Sequence, residues 1–220
     1  KLAIAEALTN ILFAPLAHGL KGVSLSANWM WPAKQAGENA RLYQAVEAVS
    51  DFAIALGINI PTGKDSLSMT QKYPNGDVVL SPGTVIISAV AEVADIRKTI
   101  SPALQAVDHT SIVYIDLSKD HYKLGGSSFA QINNTLGHEV PTIGDPQYFA
   151  SAFNAIQQLI STEEVVAGHD ISSGGLITTL CEMLFPSIGL GAHVDISLLG
   201  EDIIKILFAE NPGVVLQLKN

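Results

Sequence analysis

The stretch VVAGHDISSGGLITTL, residues 165–180, changes character twice in sixteen positions. An apolar run, Val165 to Ala167, leads into a polar knot of His169, Asp170, Ser172 and Ser173, then two glycines and a second apolar run from Leu176. A short apolar run followed by glycines and a longer apolar segment reads as buried strand, loop and helix. Ligands of open α/β sheets collect beyond the carboxyl ends of strands. A helix that starts there presents unpaired N–H groups and a partial positive charge. Asp170 stands where a carboxylate could hold the Mg²⁺ that accompanies a polyphosphate. The simpler alternative is that Ser172 or Ser173 caps the helix and Asp170 caps the turn.

The same reading extends along the chain. Helical spacing of Leu2, Leu8, Ile11, Leu12 and Leu16 predicts a helix over 2–15. VSLSANW (23–29) alternates as a strand. A second helix spans 38–57, with Leu42, Val46, Val49 and Ala53 on one face and Gly57 as its stop. Strand signals follow at 58–61, 66–72, 77–80 and 84–93, with a hairpin turn in YPNGDV (73–78). After a weakly periodic connector come a strand in SIVYIDL (111–117), a glycine-led helix over 126–136, and a helix from Pro146 capped by Asp145. HVDI (193–196), a helix near 201–208 and GVVLQL (213–218) close the chain. Strands cluster in the first half and alternate with helices in the second. We read two α/β domains, 1–100 and 101–220.

Composition narrows the function. The 220 residues are 48% hydrophobic and only 15% charged, enough for real cores and lean for a fully solvated surface. The formal charge of −9 argues against nucleic acid or an anionic membrane as main partner. No run reaches membrane-spanning length. The single cysteine, Cys181, permits no internal disulfide and reads as a buried structural thiol in a reducing cytoplasm. The chain opens KLAIAEAL, without Met and already in a helical pattern, as a piece of a longer polypeptide would.

Three further stretches carry chemistry. In AEALTN (5–10), Glu6 and Asn10 are four apart and leave one helix face. Two oxygen donors on an otherwise apolar helix suit a hard cation, or form a hydrated stripe joined by an Asn–Glu hydrogen bond. PTGKDSLSM (61–69) offers Gly63, Lys64 and Ser66 as a phosphate-binding loop, or a plain turn with an exposed lysine. In KLGGSSFAQI (123–132), Gly125 and Gly126 could open a second anion seat. The histidines show no metal-ligand spacing, and His169 reads as a hydrogen-bonded buried histidine.

In order, LAIAEALTNI, LSANWMWPA with GE, GKDSLSM and HDISSGGL resemble the large single-chain phosphoribosylformylglycinamidine synthases of purine biosynthesis. The resemblance spans essentially the whole chain. It implies the two-domain fold shared with aminoimidazole ribonucleotide synthetase, and a place in the second of two tandem synthetase units. It implies a glutamine-dependent ligase that uses ATP and Mg²⁺ to turn formylglycinamide ribonucleotide into the amidine. Glu6, Asn10 and Asp170 would then be Mg²⁺ ligands, Ser172 would touch the nucleotide, and Gly63, Lys64 and Ser66 would lie near the substrate phosphate. Relatives often read HDRSDGG where this chain has Ile171 and Ser173, which leaves Asp170 and Ser172 in place. The implied site is the auxiliary ATP/ADP site. The implied partners are the first synthetase half and the glutaminase domain, or a second copy of the chain when isolated, and the isolated chain is expected to be inactive. Rival readings are a related enzyme such as aminoimidazole ribonucleotide synthetase and a non-catalytic nucleotide-binding scaffold.

Overall fold

The computed structural model describes all residues 1–220. In chain order the elements are α1 (Leu2–Ile11), β1 (Ser24–Met30), α2 (Glu38–Leu56), β2 (Asn59–Ser66), β3 (Thr70–Lys72), β4 (Val78–Leu80), β5 (Thr84–Val90), β6 (Thr110–Asp116), α3 (Ser128–Ile132), α4 (Pro146–Ser161), β7 (Val165–Asp170), α5 (Gly175–Leu184), α6 (Ile203–Phe208) and β8 (Gly213–Lys219). Strands β2, β1 and β5 form one sheet, parallel at β1–β2 and antiparallel at β1–β5. Strands β3 and β4 form the expected hairpin. Strands β6, β8 and β7 form a third sheet, antiparallel throughout. The carboxyl end of β7 therefore lies beside the first residues of β8, with Asp170 opposite Val214.

One core serves both halves. Ile4, Leu8 and Leu12 of α1, Leu25 of β1 and Phe52 of α2 pack with Phe149, Phe153, Ile156 and Ile160 of α4 in a single buried cluster. The Phe52 and Phe149 rings meet edge to face, 6.0 Å apart. A smaller cluster, including Ala167, Ile171, Leu176, Met183, Ile206 and Val215, lies under α5 and α6.

Several boundaries differ from the sequence reading, each for a physical reason. α1 stops at Ile11 because Pro15 cannot continue the backbone ladder. The carbonyls freed there are taken by α4: the Gln157 side-chain amide donates to Leu12 O and Ala14 O, and its oxygen accepts from Leu16 N at 2.8 Å. Residues 61–66 are strand rather than loop. Pro61 falls where the β1–β2 register slips, so its missing N–H leaves no gap in the ladder. Gly63 lies so close to β1 that a Cβ there would be 2.2 Å from Ala27 O. α3 is only five residues long, and Asn134 turns the chain at φ +55°. The buried stripe of α2 is Val49, Phe52, Ala53 and Leu56. Val46 is exposed, because only the second half of this helix packs on the core. Residues 193–196 are irregular. Cys181 is a free thiol, partly exposed rather than buried, on α5. No helix is long and apolar enough to cross a membrane.

Candidate functional site

α1 and the β7–α5 loop meet at the seam of the two halves. Glu6 and Asn10 occupy the exposed side of α1, and Thr9 between them is buried. The Ser172 hydroxyl donates to Glu6 Oε1 at 3.0 Å. The Thr9 hydroxyl donates to Asp170 Oδ2 at 2.9 Å. Residues about 165 positions apart thus share one hydrogen-bonded group, and neither bond is a local cap. The N-cap of α5 is Gly174 with no side-chain cap, so neither serine caps that helix. Asp170 spends its carboxylate across the seam rather than on its own turn.

Buried polar groups need partners, and Asp170 has several. Its backbone carbonyl accepts from the Thr179 hydroxyl at 3.1 Å and lies 2.8 Å from His169 Nδ1. His169 Nδ1 is 3.3 Å from Asp170 Oδ1, and its Nε2 is 3.4 Å from Glu182 Oε2. Burial pushes the Asp170 carboxyl up, but the His169 and Thr9 hydrogen bonds outweigh it and hold the group below the usual carboxylate range. The Asp170 hydrogen bond raises His169 above its ordinary value. Glu6 is raised, first by burial and then by the charges of Asp170 and Glu210, against hydrogen bonds from Ser172 and Asn10. Carboxylates crowded so that one resists ionising form an electrostatic setting that a cation relieves.

The donor chemistry fits magnesium. Glu6, Asn10, Asp170 and Ser172 present only oxygen-bearing side chains of the hard type that Mg²⁺ selects. No group of three or more His, Cys, Asp or Glu side chains could hold an ion. An ion here would complete its shell from Asn10, water and phosphate, as Mg²⁺ commonly does. Cavities flank the group on either side. One of about 450 Å³ joins Asn10, His169 and Asp170 to apolar walls including Phe13, Leu16, Val93 and Ile100. One of about 270 Å³ joins Glu6, Thr9 and Ser172 to Glu210.

Lys64 and Ser66 lie elsewhere. Lys64 Nζ donates to Ser66 Oγ at 3.0 Å and to Asn28 Oδ1 at 3.4 Å. Asn28 alternates with the buried Leu25 and Ala27, so this polar group lies on the sheet face opposite the core. The structure does not bring it to Asp170. Sequence reasoning missed Thr9, Thr179, Glu182 and Glu210. Thr9 carried a signal, being a hydroxyl on the apolar side of α1; the others needed the fold.

Comparison with known proteins assigns both halves. Residues 1–92 match the FGAR-AT PurM_N-like domain, and residues 112–218 match the C-terminal domain of AIR synthase related proteins. Each half of the chain is thus similar to one of these two domain families.

It is 41% identical over 219 residues to a probable phosphoribosylformylglycinamidine synthase, chloroplastic/mitochondrial, of Arabidopsis thaliana, and 40% identical over 220 residues to the phosphoribosylformylglycinamidine synthase of Homo sapiens. Those alignments cover 99% and 100% of this chain but only 15% and 16% of the relatives' own length. Among solved structures, T. maritima PurL complexed with FGAR superposes with TM-score 0.63 at 15% identity, over 98% of this chain and 34% of that one. E. coli HypE, a hydrogenase maturation protein, superposes with TM-score 0.55 at 15% identity, over 100% and 64%. At these identities the solved structures speak to fold alone. The FGAR-AT PurM_N-like domain contributes Glu6, Thr9 and Asn10. The AIR synthase-related domain contributes His169, Asp170 and Ser172. The hydrogen-bonded group therefore bridges the two families' domains.

Proposed function

We propose that this chain forms one wall of a Mg²⁺–nucleotide site in a glutamine-dependent carbon–nitrogen ligase that converts formylglycinamide ribonucleotide to formylglycinamidine ribonucleotide. The observation that carries the reading is the Ser172–Glu6 hydrogen bond, which joins the oxygen donors of α1 to those of the β7–α5 loop. Glu6, Asn10 and Asp170 would hold the ion, and Ser172 would bond a nucleotide oxygen. The ion would supply the positive charge that lets an acidic chain accept a polyphosphate. The relatives' activity as phosphoribosylformylglycinamidine synthases supports the reaction, and the structures of T. maritima PurL complexed with ATP (TM-score 0.61) and with ADP (TM-score 0.55) support the ligand class. We assign the site the auxiliary, structural role. We take 1–100 and 101–220 as its two domains; all strands through Val90 lie in the first two sheets, and all from Thr110 lie in the third.

Calorimetric titration with ADP tests the reading. Binding is expected with Mg²⁺ and is expected to vanish when EDTA removes it; equal binding in both conditions would overturn it.

Lys64, Ser66 and Gly63 fit a role near the substrate phosphate, since Lys64 bonds only neutral groups. The sheet face that carries Lys64 and Ser66 also exposes Ile86 and Val90. We assign this face to a matching sheet, that of the first synthetase half in the parent enzyme or of a second copy when the chain is alone. Light scattering at rising concentration should show a dimer that Ile86→Lys abolishes. A wild-type monomer at high concentration would count against the assignment. The parent's glutaminase domain would deliver ammonia from outside this region. We place the protein in the cytoplasm, where a free thiol such as Cys181 stays reduced.

A further inference from the structure

Glu210 stands between α6 and β8 and lines the same cavity as Glu6 and Ser172. Its Oε1 accepts from Gly174 N at 2.8 Å and from Ser128 N at 2.8 Å. No lysine, arginine or histidine lies within ion-pair distance of it; its nearest compensation is these backbone N–H groups. They belong to the two glycine-led segments that the sequence offered as phosphate seats. An internal carboxylate already occupies both. Gly125 serves packing instead, since a Cβ there would lie 2.3 Å from Glu139 O.

The loop between β7 and α5 is pinned at both ends. At its front, Ile171 N donates to Gly213 O of β8 at 2.8 Å. At its back, Gly174, at φ +90°, donates to Glu210. Ser172 and Ser173 span the interval. Where Ser172 points depends on both pins, and only the rear one is a side chain.

We propose that Glu210 is a positioning residue: by filling the shared N–H seat it fixes the 171–174 loop so that Ser172 reaches the α1 donors, and it leaves a polyphosphate to the ion that Glu6 and Asp170 would hold. This rests on the Mg²⁺–nucleotide reading for its ligand, but the loop geometry can be tested without any ligand. Glu210→Gln keeps an oxygen acceptor of the same reach. Glu210→Ala removes it, and Glu210→Asp keeps the charge but withdraws it by one methylene.

Amide hydrogen exchange in the ligand-free chain is the first readout. Exchange at Gly174 and Ser128 should rise at least about tenfold in Glu210→Ala and Glu210→Asp, stay near wild type in Glu210→Gln, and remain unchanged in the centre of β8. The second readout is Mg²⁺-ADP binding, which should weaken on the order of tenfold or more in the Ala and Asp variants and be retained in the Gln variant. Wild-type protection at Gly174 in Glu210→Ala would overturn the proposal. So would a folded Glu210→Gln that behaves like Glu210→Ala, since charge rather than position would then be at stake. If Glu210→Ala fails to fold, Glu210→Asp against Glu210→Gln decides the same point. If the wild-type chain binds no Mg²⁺-ADP, the nucleotide reading fails and the exchange data alone judge the pinning.

Discussion

Asp170→Asn should cost about a hundredfold or more in Mg²⁺-dependent ADP affinity while leaving the chain folded. The asymmetry follows from what Asp170 touches. An asparagine keeps an oxygen for the Thr9 hydroxyl and keeps the backbone carbonyl that Thr179 and His169 use. Its effect on folding should therefore stay near the value of one hydrogen bond to a charged group, about 1.5–3 kcal/mol. It loses the negative charge that a divalent ion requires, and no other carboxylate touches Thr9 or His169 Nδ1 at this end of the group. Supporting partners of metal sites alone are worth about 10–100-fold, and a direct ligand should reach or exceed the upper end of that range. Calorimetry with and without Mg²⁺, beside thermal unfolding, separates the two effects. A variant that binds like wild type would remove Asp170 from the site. On the proposed reading, an auxiliary role predicts that in the full-length ligase the same change lowers stability more than turnover.

Phe153→Ala should destabilise the chain by about 3–5 kcal/mol, a large share of what a domain of this size holds. Phe153 is fully buried on α4, in one cluster with side chains from α1, β1 and α2 and from β7 and β8. Because the cluster is shared, the loss should fall on both halves at once. Unfolding followed by tryptophan fluorescence reports the first half, where Trp29 and Trp31 lie. Amide hydrogen exchange along β8 reports the second. The two should move together by the same amount. A first half that unfolds at its wild-type midpoint while the second falls would show that the halves do not depend on a common core.

Much of this was legible in the sequence because it rests on local chemistry. The Asp145 cap with Pro146 at the first turn, the PNGD hairpin and the Gly57 stop each appear where their backbone preferences require. The convergence of Glu6, Asn10, Asp170 and Ser172 was legible only through an ordered set of motifs, since periodicity says nothing about which distant segments meet. What stayed hidden was non-local. A glycine and a proline in 61–66 read as a turn, yet Pro61 sits at a register slip and Gly63 at a close strand approach. Glycine pairs read as phosphate seats, yet a glutamate 36 residues beyond Gly174 fills them. The antiparallel order of β6, β8 and β7 likewise depends on how a connector crosses, which no window of residues encodes.

The grip of Gln157 on the end of α1 has a kinetic meaning. Its amide binds Leu12 O, Ala14 O and Leu16 N at once, so α1 cannot rock against α4 without breaking three hydrogen bonds, one of them fully buried. The seam is therefore a weld and not a hinge. On the proposed Mg²⁺–nucleotide reading, a nucleotide arriving there would meet an already arrayed set of oxygens, and its association would be governed by diffusion and dehydration of the ion, with no closure step to wait for.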